Sequence, residues 1–323
     1  MLTDFALAVL GLVILLLAGD ALVRGAVNLA IRLGIPALLV SLTIVAFGTS
    51  APELLVSVAS VTSDAPGIAL GNVVGSNTAN ILLVLGVPAL ISGLDTGATE
   101  SRKTYTMMMA ASVLFIALAF LGPFTWWHGA ILLAGLALML GDAARAARAH
   151  RADAAEAAAL ASDDPDDLEG ADPDMPGWKL GLFLVLGLIG LPLGADILVD
   201  SASDIAEELG VPDTVIGLTL VALGTSLPEL ATTVMAALRN QTDVALGNVI
   251  GSNMFNLLAI IGIASFVGDI PVDAQILRFD LWVMLGASAL LAPFVFLRWR
   301  MGRGWGALLT GFYLAYIAIV VAA

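Results

Sequence analysis

The hexapeptide Gly48-Thr49-Ser50-Ala51-Pro52-Glu53 returns 176 residues later as Gly224-Thr225-Ser226-Leu227-Pro228-Glu229. The register extends on both sides. Asp20 matches Asp196, Gly34 matches Gly210 and Pro36 matches Pro212. Gly71-Asn72-Val73-Val74-Gly75-Ser76-Asn77 matches Gly247-Asn248-Val249-Ile250-Gly251-Ser252-Asn253, and Asn80 matches Asn256, with no gap needed from Asp20 to Gly86. The fold must therefore come from two copies of one unit, each holding the same polar motif inside an apolar stretch.

The stretches are long. Hydrophobic residues make up 59% of the chain and charged ones 12%, with a mean hydropathy of +0.99; soluble domains carry about 25% charged residues. Apolar spans fall at about 4–32, 36–63, 66–92, 103–121, 125–148, 178–209, 212–239, 241–267, 279–298 and 303–323. The expectation is an all-α membrane protein of ten transmembrane helices, arranged as a first five-helix repeat over 1–148, a linker over 149–177 and a second five-helix repeat over 178–323. The stretch after Met1 lacks a basic flank and reads as the first span rather than a cleaved leader. All six tryptophans fall near predicted span ends, as an interfacial aromatic belt requires.

The net charge of −14 is concentrated in the linker, where nine acids (Asp153, Glu156, Asp163, Asp164, Asp166, Asp167, Glu169, Asp172 and Asp174) lie within 22 residues. Such density reads as a solvated linker. It does not fit an EF-hand, because Gly170 is not followed by a glutamate at the required offset. Twelve of the 13 basic residues fall on the side of the membrane that holds this linker, and Arg278 alone on the other. That bias predicts a cytoplasmic linker and external termini in the plasma membrane. Because five spans make one repeat, the second copy enters the membrane upside down, an arrangement that places a transporter's site at the midplane where the copies meet.

Gly48 lies near the middle of its span. Pro52 removes a backbone N–H and clashes with the preceding turn, so broken helices are expected at the midplane. Ser50 with Glu53, and Ser226 with Glu229, have the spacing of a capping box that starts a new half-helix. Capping alone accounts poorly for the glutamates. An ionisable group at membrane depth costs about 2.5–3.5 kcal/mol on the mildest scale, and a glutamine would cap without charge. Ser76 and Asn80, like Ser252 and Asn256, are one helical turn apart and share a face. Two carboxylates with hydroxyls, amide oxygens and carbonyls freed at the helix breaks make an all-oxygen lining suited to Ca²⁺ and Na⁺. With no cysteine and only His128 and His150, soft metals are disfavoured. Gly71, Gly75, Gly247 and Gly251 read as close-packing positions.

The paired G-T-S-x-P-E and G-N-V-[VI]-G-S-N-x-x-N motifs resemble the two alpha-repeats of the cation/calcium exchanger superfamily, in particular its prokaryotic sodium/calcium exchanger branch. The resemblance spans nearly the whole chain. It implies a secondary antiporter exchanging Ca²⁺ for Na⁺ by alternating access and contributing to calcium homeostasis. It further implies that Glu53 and Glu229 chelate Ca²⁺ helped by Thr49 and Thr225. Ser50, Ser76, Ser226 and Ser252, with the carbonyls of Ala46 and Ala222, would line Na⁺ positions, and Asn80 and Asn256 would complete the centre. Some members carry aspartate where this chain has Asn80 or Asn256, so the site here holds two formal negative charges. Ca²⁺ and Na⁺ are the expected substrates and the bilayer the expected surroundings. No cofactor, nucleic acid or obligate protein partner is implied, and no enzymatic activity.

The remaining polar residues in the spans carry weaker signals. Asp20 and Arg24 have the spacing of a mutually neutralising pair. Asp196, Asp200 and Asp204 form an acidic stripe, a solvated helix end or a cation-attracting vestibule. His128 and His150 are expected in loops without a specific role. A Ca²⁺/H⁺ antiporter of the same superfamily is the nearest alternative function. A channel calls for rotational symmetry around a pore rather than inversion, and an intramembrane hydrolase lacks a base beside Ser50 or Ser226. The orientation has a direct test in this cysteine-free chain: in an Asp166→Cys variant, an impermeant thiol reagent added outside intact cells should leave the protein unlabelled, and labelling would reverse the topology.

Overall fold

The computed structural model describes residues 2–63, 65–96, 101–160, 172, 175–210 and 222–322, with the backbone alone at 152–160, 222 and 321–322. Eleven helical segments follow in order among these residues: α1 (Leu2–Leu33), α2 (Ala37–Thr49), α3 (Ala51–Thr62), α4 (Pro66–Ile91), α5 (Arg102–Ala119), α6 (Trp126–Leu160), α7 (Gly177–Glu208), α8 (Leu227–Leu238), α9 (Thr242–Val267), α10 (Ile276–Phe296) and α11 (Arg303–Ala322). Seven of them are long and apolar enough to cross a membrane, and α2 with α3 forms one further span bent by 42°. Helix α5 is less apolar because Arg102 and Lys103 open it. Of the span expected over 212–239, the first part including Pro212 lies outside the described residues, and the rest is a short turn, Ala222–Gly224, followed by α8.

Helix α6 outruns its apolar span and continues to Leu160, into the first part of the linker expected over 149–177. The alanine-rich sequence there has high helix propensity, which outweighs its acids locally. His128 and His150 are in α6 and not in loops. His128 is buried, and its Nδ1 accepts the backbone N–H of Thr125 at 3.2 Å, so it finishes the start of the helix. Of the linker acids, Asp163, Asp164, Asp166, Asp167, Glu169 and Asp174 lie outside the described residues. The Asp172 N–H is anchored on Asn28 Oδ1 at 2.8 Å.

Helices α4 and α9 are central. Nearly every side chain from Val244 to Ile261 is buried, as are most from Val73 to Ala89. The flanking helices α1, α6, α7 and α11 present Leu17, Leu138, Ile189 and Leu314 outward, the pattern of a lipid-facing belt. Helix α9 packs against α2 through glycines. A Cβ on Gly247 would lie 2.8 Å from the Leu38 carbonyl oxygen, and one on Gly251 2.6 Å from the Ala46 Cβ. The segment that repeat symmetry places against Gly71 and Gly75, around 214–222, lies outside the described residues or has only its backbone described. Helices α1 and α7 cross in the same manner, Gly11 against the Leu198 N–H and Gly194 against that of Leu15. With Leu22, Val40, Val45 and Leu191 they form a hydrophobic cluster separate from the main one. Asp20 joins α1 to the end of α8, accepting from Arg24 at 3.0 Å and from Arg239. Asp196, Asp200 and Asp204 are exposed along α7.

Two short backbone pairings flank α5. Leu94, before it, exchanges hydrogen bonds with Met301 at 2.9 and 3.0 Å; Phe124, after it, does so with Ile270 at 2.8 and 2.9 Å. Leu94 and Ile270 are 176 residues apart, and Phe124 lies 176 before Arg300, the neighbour of Met301. One pairing is thus the repeat image of the other, at the opposite end of the same helix.

The glycine contacts predict a sensitivity confined to the packed positions. Gly251→Leu should lower stability by about 1–3 kcal/mol, the usual cost of overpacking. The control Gly286→Ala, with no atom within 4 Å, should leave it unchanged. Thermal unfolding of the purified protein in detergent reads both, and equal midpoints would remove the seam between α2 and α9.

Candidate functional site

Both copies of the motif interrupt a helix where proline demands it. Ser50 leaves helical geometry (φ −87°, ψ 7°) between α2 and α3, and Ser226 does the same (φ −89°, ψ 0°) before α8, with Pro52 and Pro228 in the first turns that follow. Glu53 and Glu229 therefore lie in the first turns of α3 and α8, where the helix dipole favours an anion. The capping box does not form. Neither serine makes a side-chain cap bond; Ser50 Oγ instead donates to Glu229 Oε1 in the other copy, at 3.0 Å. The serine hydroxyl is turned to donate to a buried carboxylate, a charge-assisted bond, instead of accepting a backbone N–H of its own helix.

The two copies hold each other through a symmetric lattice of hydrogen bonds. Asn72 Nδ2 donates to the Glu53 carbonyl at 3.3 Å and to Ser57 Oγ at 3.1 Å. Asn248 Nδ2 donates to the Glu229 carbonyl at 3.4 Å and to Thr233 Oγ1 at 3.1 Å. The far end of each amide crosses to the other copy: Thr49 Oγ1 donates to Asn248 Oδ1 at 3.3 Å, and Thr225 Oγ1 to Asn72 Oδ1 at 3.5 Å. Asn72, Asn248, Ser57 and Thr233 carry this scaffold, and none stood out as a site residue from sequence. The available signal was their repetition at the 176-residue offset.

At the centre Glu53, Glu229, Thr49, Ser50, Ser76, Ser226, Ser252, Asn80 and Asn256 are all buried, while Thr225 is half-buried. Ser252 Oγ lies 3.4 Å from Glu229 Oε1 and 3.5 Å from Thr49 Oγ1. The equivalent bonds from Ser226 and Ser76 to Glu53 are not made, so the two carboxylates differ in surroundings. The Ala46 carbonyl accepts the Ser50 N–H at 3.0 Å and Thr49 Oγ1 at 3.3 Å. In the second copy Ser226 N–H turns to Leu223 rather than Ala222, at 3.1 Å.

Several buried atoms here have no protein partner: Oε2 of Glu53, Oε2 of Glu229, Oδ1 of Asn77, Oδ1 of Asn80 and both amide ends of Asn256. Among the described residues no lysine, arginine or histidine pairs with either glutamate. Buried acceptors without donors are costly, and carboxylate and amide oxygens are the ligand type a hard cation accepts. No group of three acids, histidines or cysteines able to hold a metal occurs among the described residues, so the charge available to an ion is that of the two glutamates. A cavity of about 400 Å³ bounded by Leu38, Leu42, Met107, Met139, Asp142 and Asp243 is separate and touches neither glutamate. Both π-helical turns of the central helices begin at repeat-related amides, Asn80 in α4 and Asn256 in α9, an irregularity common at functional positions.

Comparison with known proteins agrees with this geometry. The sequence profile described as sodium/calcium exchanger protein matches residues 3–141 and 179–322. The sodium/calcium exchanger MaX1 of Methanosarcina acetivorans is 36% identical, with 98% of each chain covered. The inner membrane protein YrbG of Escherichia coli is 33% identical over 99% of this chain and 97% of its own. Among solved structures, the sodium-calcium exchanger NCX_Mj soaked with 2.5 mM Na⁺ and 1 mM Sr²⁺ superposes with a TM-score of 0.81 at 31% identity, covering 98% of this chain and 97% of that one. With a helical multi-pass fold and two buried glutamates at the meeting of a duplicated motif, the chain belongs to the sodium/calcium exchanger family.

Proposed function

We propose that this antiporter exchanges Ca²⁺ for Na⁺ across the plasma membrane by alternating access and contributes to calcium homeostasis. One observation carries the reading: two buried glutamates each keep an unpartnered Oε2, and Glu229 Oε1 takes hydroxyls from both copies of the motif, Ser50 and Ser252. Glu53 and Glu229 neutralise one Ca²⁺ in charge, and Thr49 and Thr225 stand beside them as further Ca²⁺ ligands. Ser50, Ser76, Ser226 and Ser252, with the carbonyls of Ala46 and Ala222, take Na⁺, while Asn80 and Asn256 complete the centre.

The architecture proposed with it is ten transmembrane helices in two inverted repeats, 1–148 and 178–323, joined by the acidic linker 149–177 in the cytoplasm. The paired backbone bridges support inversion, since the repeat operation carries the bridge before α5 onto the bridge after it, at the opposite end of that helix. Names of the relatives, sodium/calcium exchanger among them, support the choice of ions.

Glu53→Gln and Glu229→Gln keep the volume and remove half of the neutralising charge. Each should abolish Ca²⁺ uptake into proteoliposomes, with wild-type elution on size exclusion showing intact folding. Near-normal uptake by either variant would remove the glutamates from the site.

Hydroxyl and amide oxygens serve Na⁺, whereas a carboxylate carrying a proton needs none of them. An outward Na⁺ gradient should therefore drive Ca²⁺ uptake. If three Na⁺ move per Ca²⁺, as the family resemblance implies, each cycle carries one charge, worth about 2.3 kcal/mol per 100 mV. Clamping the potential with K⁺ and valinomycin should then change the flux. Uptake that follows a pH gradient and ignores both Na⁺ and potential would establish Ca²⁺/H⁺ exchange.

A further inference from the structure

The amide of an asparagine is an ion ligand only one way round. Its Oδ1 attracts a cation and its Nδ2 hydrogens repel one, yet the two ends are nearly equal in size. Packing alone therefore cannot choose between them, and a hydrogen bond must.

For Asn80 that choice is traceable to a group that cannot turn. The backbone carbonyl of Asn77 is an acceptor only, and the end of Asn253 that reaches it at 3.4 Å is therefore Nδ2. The same nitrogen lies 3.8 Å from Met108 Sδ, a second acceptor. With Nδ2 committed, Asn253 presents Oδ1 to Asn80, and Asn80 answers with Nδ2 at 3.0 Å. Its own Oδ1 is left as the free end, buried and without a protein partner. Asn253, Asn80 and Met108 are all buried, so water does not compete for these bonds.

The other copy has no such device. Asn77, the repeat mate of Asn253, turns its Nδ2 back to the Val73 carbonyl of its own helix at 2.7 Å. Asn256, the mate of Asn80, has no hydrogen bond at either end of its amide. One amide of the pair is fixed and the other is not.

We propose that Asn253 is a positioning residue for ion binding: it holds Asn80 with Oδ1 toward the ion and acts through Asn80 without touching the ion itself. The proposal rests on the reading of Asn80 as a ligand given above. Asn253 works across the repeats, from the second copy onto a ligand of the first, and Asn77 has no corresponding effect on Asn256.

Equilibrium ⁴⁵Ca²⁺ binding to the purified full-length protein in detergent tests it. Asn253→Ala should weaken Ca²⁺ binding about tenfold, or about 1.4 kcal/mol. The decisive comparison repeats Asn253→Ala in an Asn80→Asp background. A carboxylate offers oxygen whichever way it turns, so there the loss should shrink to less than about twofold. Equal losses in both backgrounds, or none in the wild-type background, would overturn the proposal. Asn253→Leu, close in volume, serves if the alanine variant does not fold; if neither elutes as a monodisperse peak, Asn253 belongs to the fold and the proposal fails. Glu53→Gln and Asn80→Ala, measured in parallel, separate the two readings: wild-type Ca²⁺ binding by either would bring down the site assignment itself rather than the role of Asn253.

Discussion

A carboxylate buried at membrane depth must be neutralised by something, since leaving it bare costs several kcal/mol. This chain buries two and supplies neither with a basic partner among the described residues. Most of the surrounding structure follows from that condition. The helices break so that each glutamate falls in a first turn, where the dipole helps. The central helices α4 and α9 carry serine and asparagine on otherwise apolar faces. Where a basic residue does reach into a transmembrane helix, as Arg24 and Arg239 do on Asp20, the pair is complete and asks for no ion. The ion-paired network is closed, and the centre around the two glutamates is left open.

Close packing sets the tolerance of this arrangement. Glycine at 247 and 251 brings the backbone of α2 onto α9, which carries Thr49 to the amide of Asn248. Hydrogen bonds of 3.0–3.5 Å between the copies leave little slack for a larger side chain at the seam. A wider seam would leave the carboxylates in place but separate them from the hydroxyls that complete the lining.

Much of the site was legible in the sequence because duplication labels it. Glu53 with Glu229, Ser76 with Ser252 and Asn80 with Asn256 repeat at one offset, and a charge inside an apolar span draws attention by itself. Other features could not be read along the chain. The S-x-x-E spacing is a true capping signature, but whether Ser50 turns to its own helix or across to Glu229 depends on what the other copy brings near. His128 reads as a loop residue because its role is a bond to the Thr125 N–H at the helix start. The scaffold of Asn72, Asn248, Ser57 and Thr233 lies in the same repeats, but its residues are neutral and common, and their importance comes from bonds between helices. The extension of α6 into the acidic segment is a case of local propensity overriding composition.

The crossing hydrogen bonds have a consequence for how such a chain could have arisen and how it can change. Glu229 takes a donor from Ser50, and the amides of Asn72 and Asn248 each take one from a threonine of the opposite copy. An isolated half would hold a glutamate with part of its shell missing, so neither half owns a site. The site is a property of the seam, much as an isologous dimer's shared cavity belongs to neither subunit. Once two such halves are fused, each position can drift alone, and a substitution in one copy is judged by its partner in the other. Ser57 and Thr233, which differ in residue yet each accept the asparagine amide of their own copy, are what that separate drift of paired positions looks like.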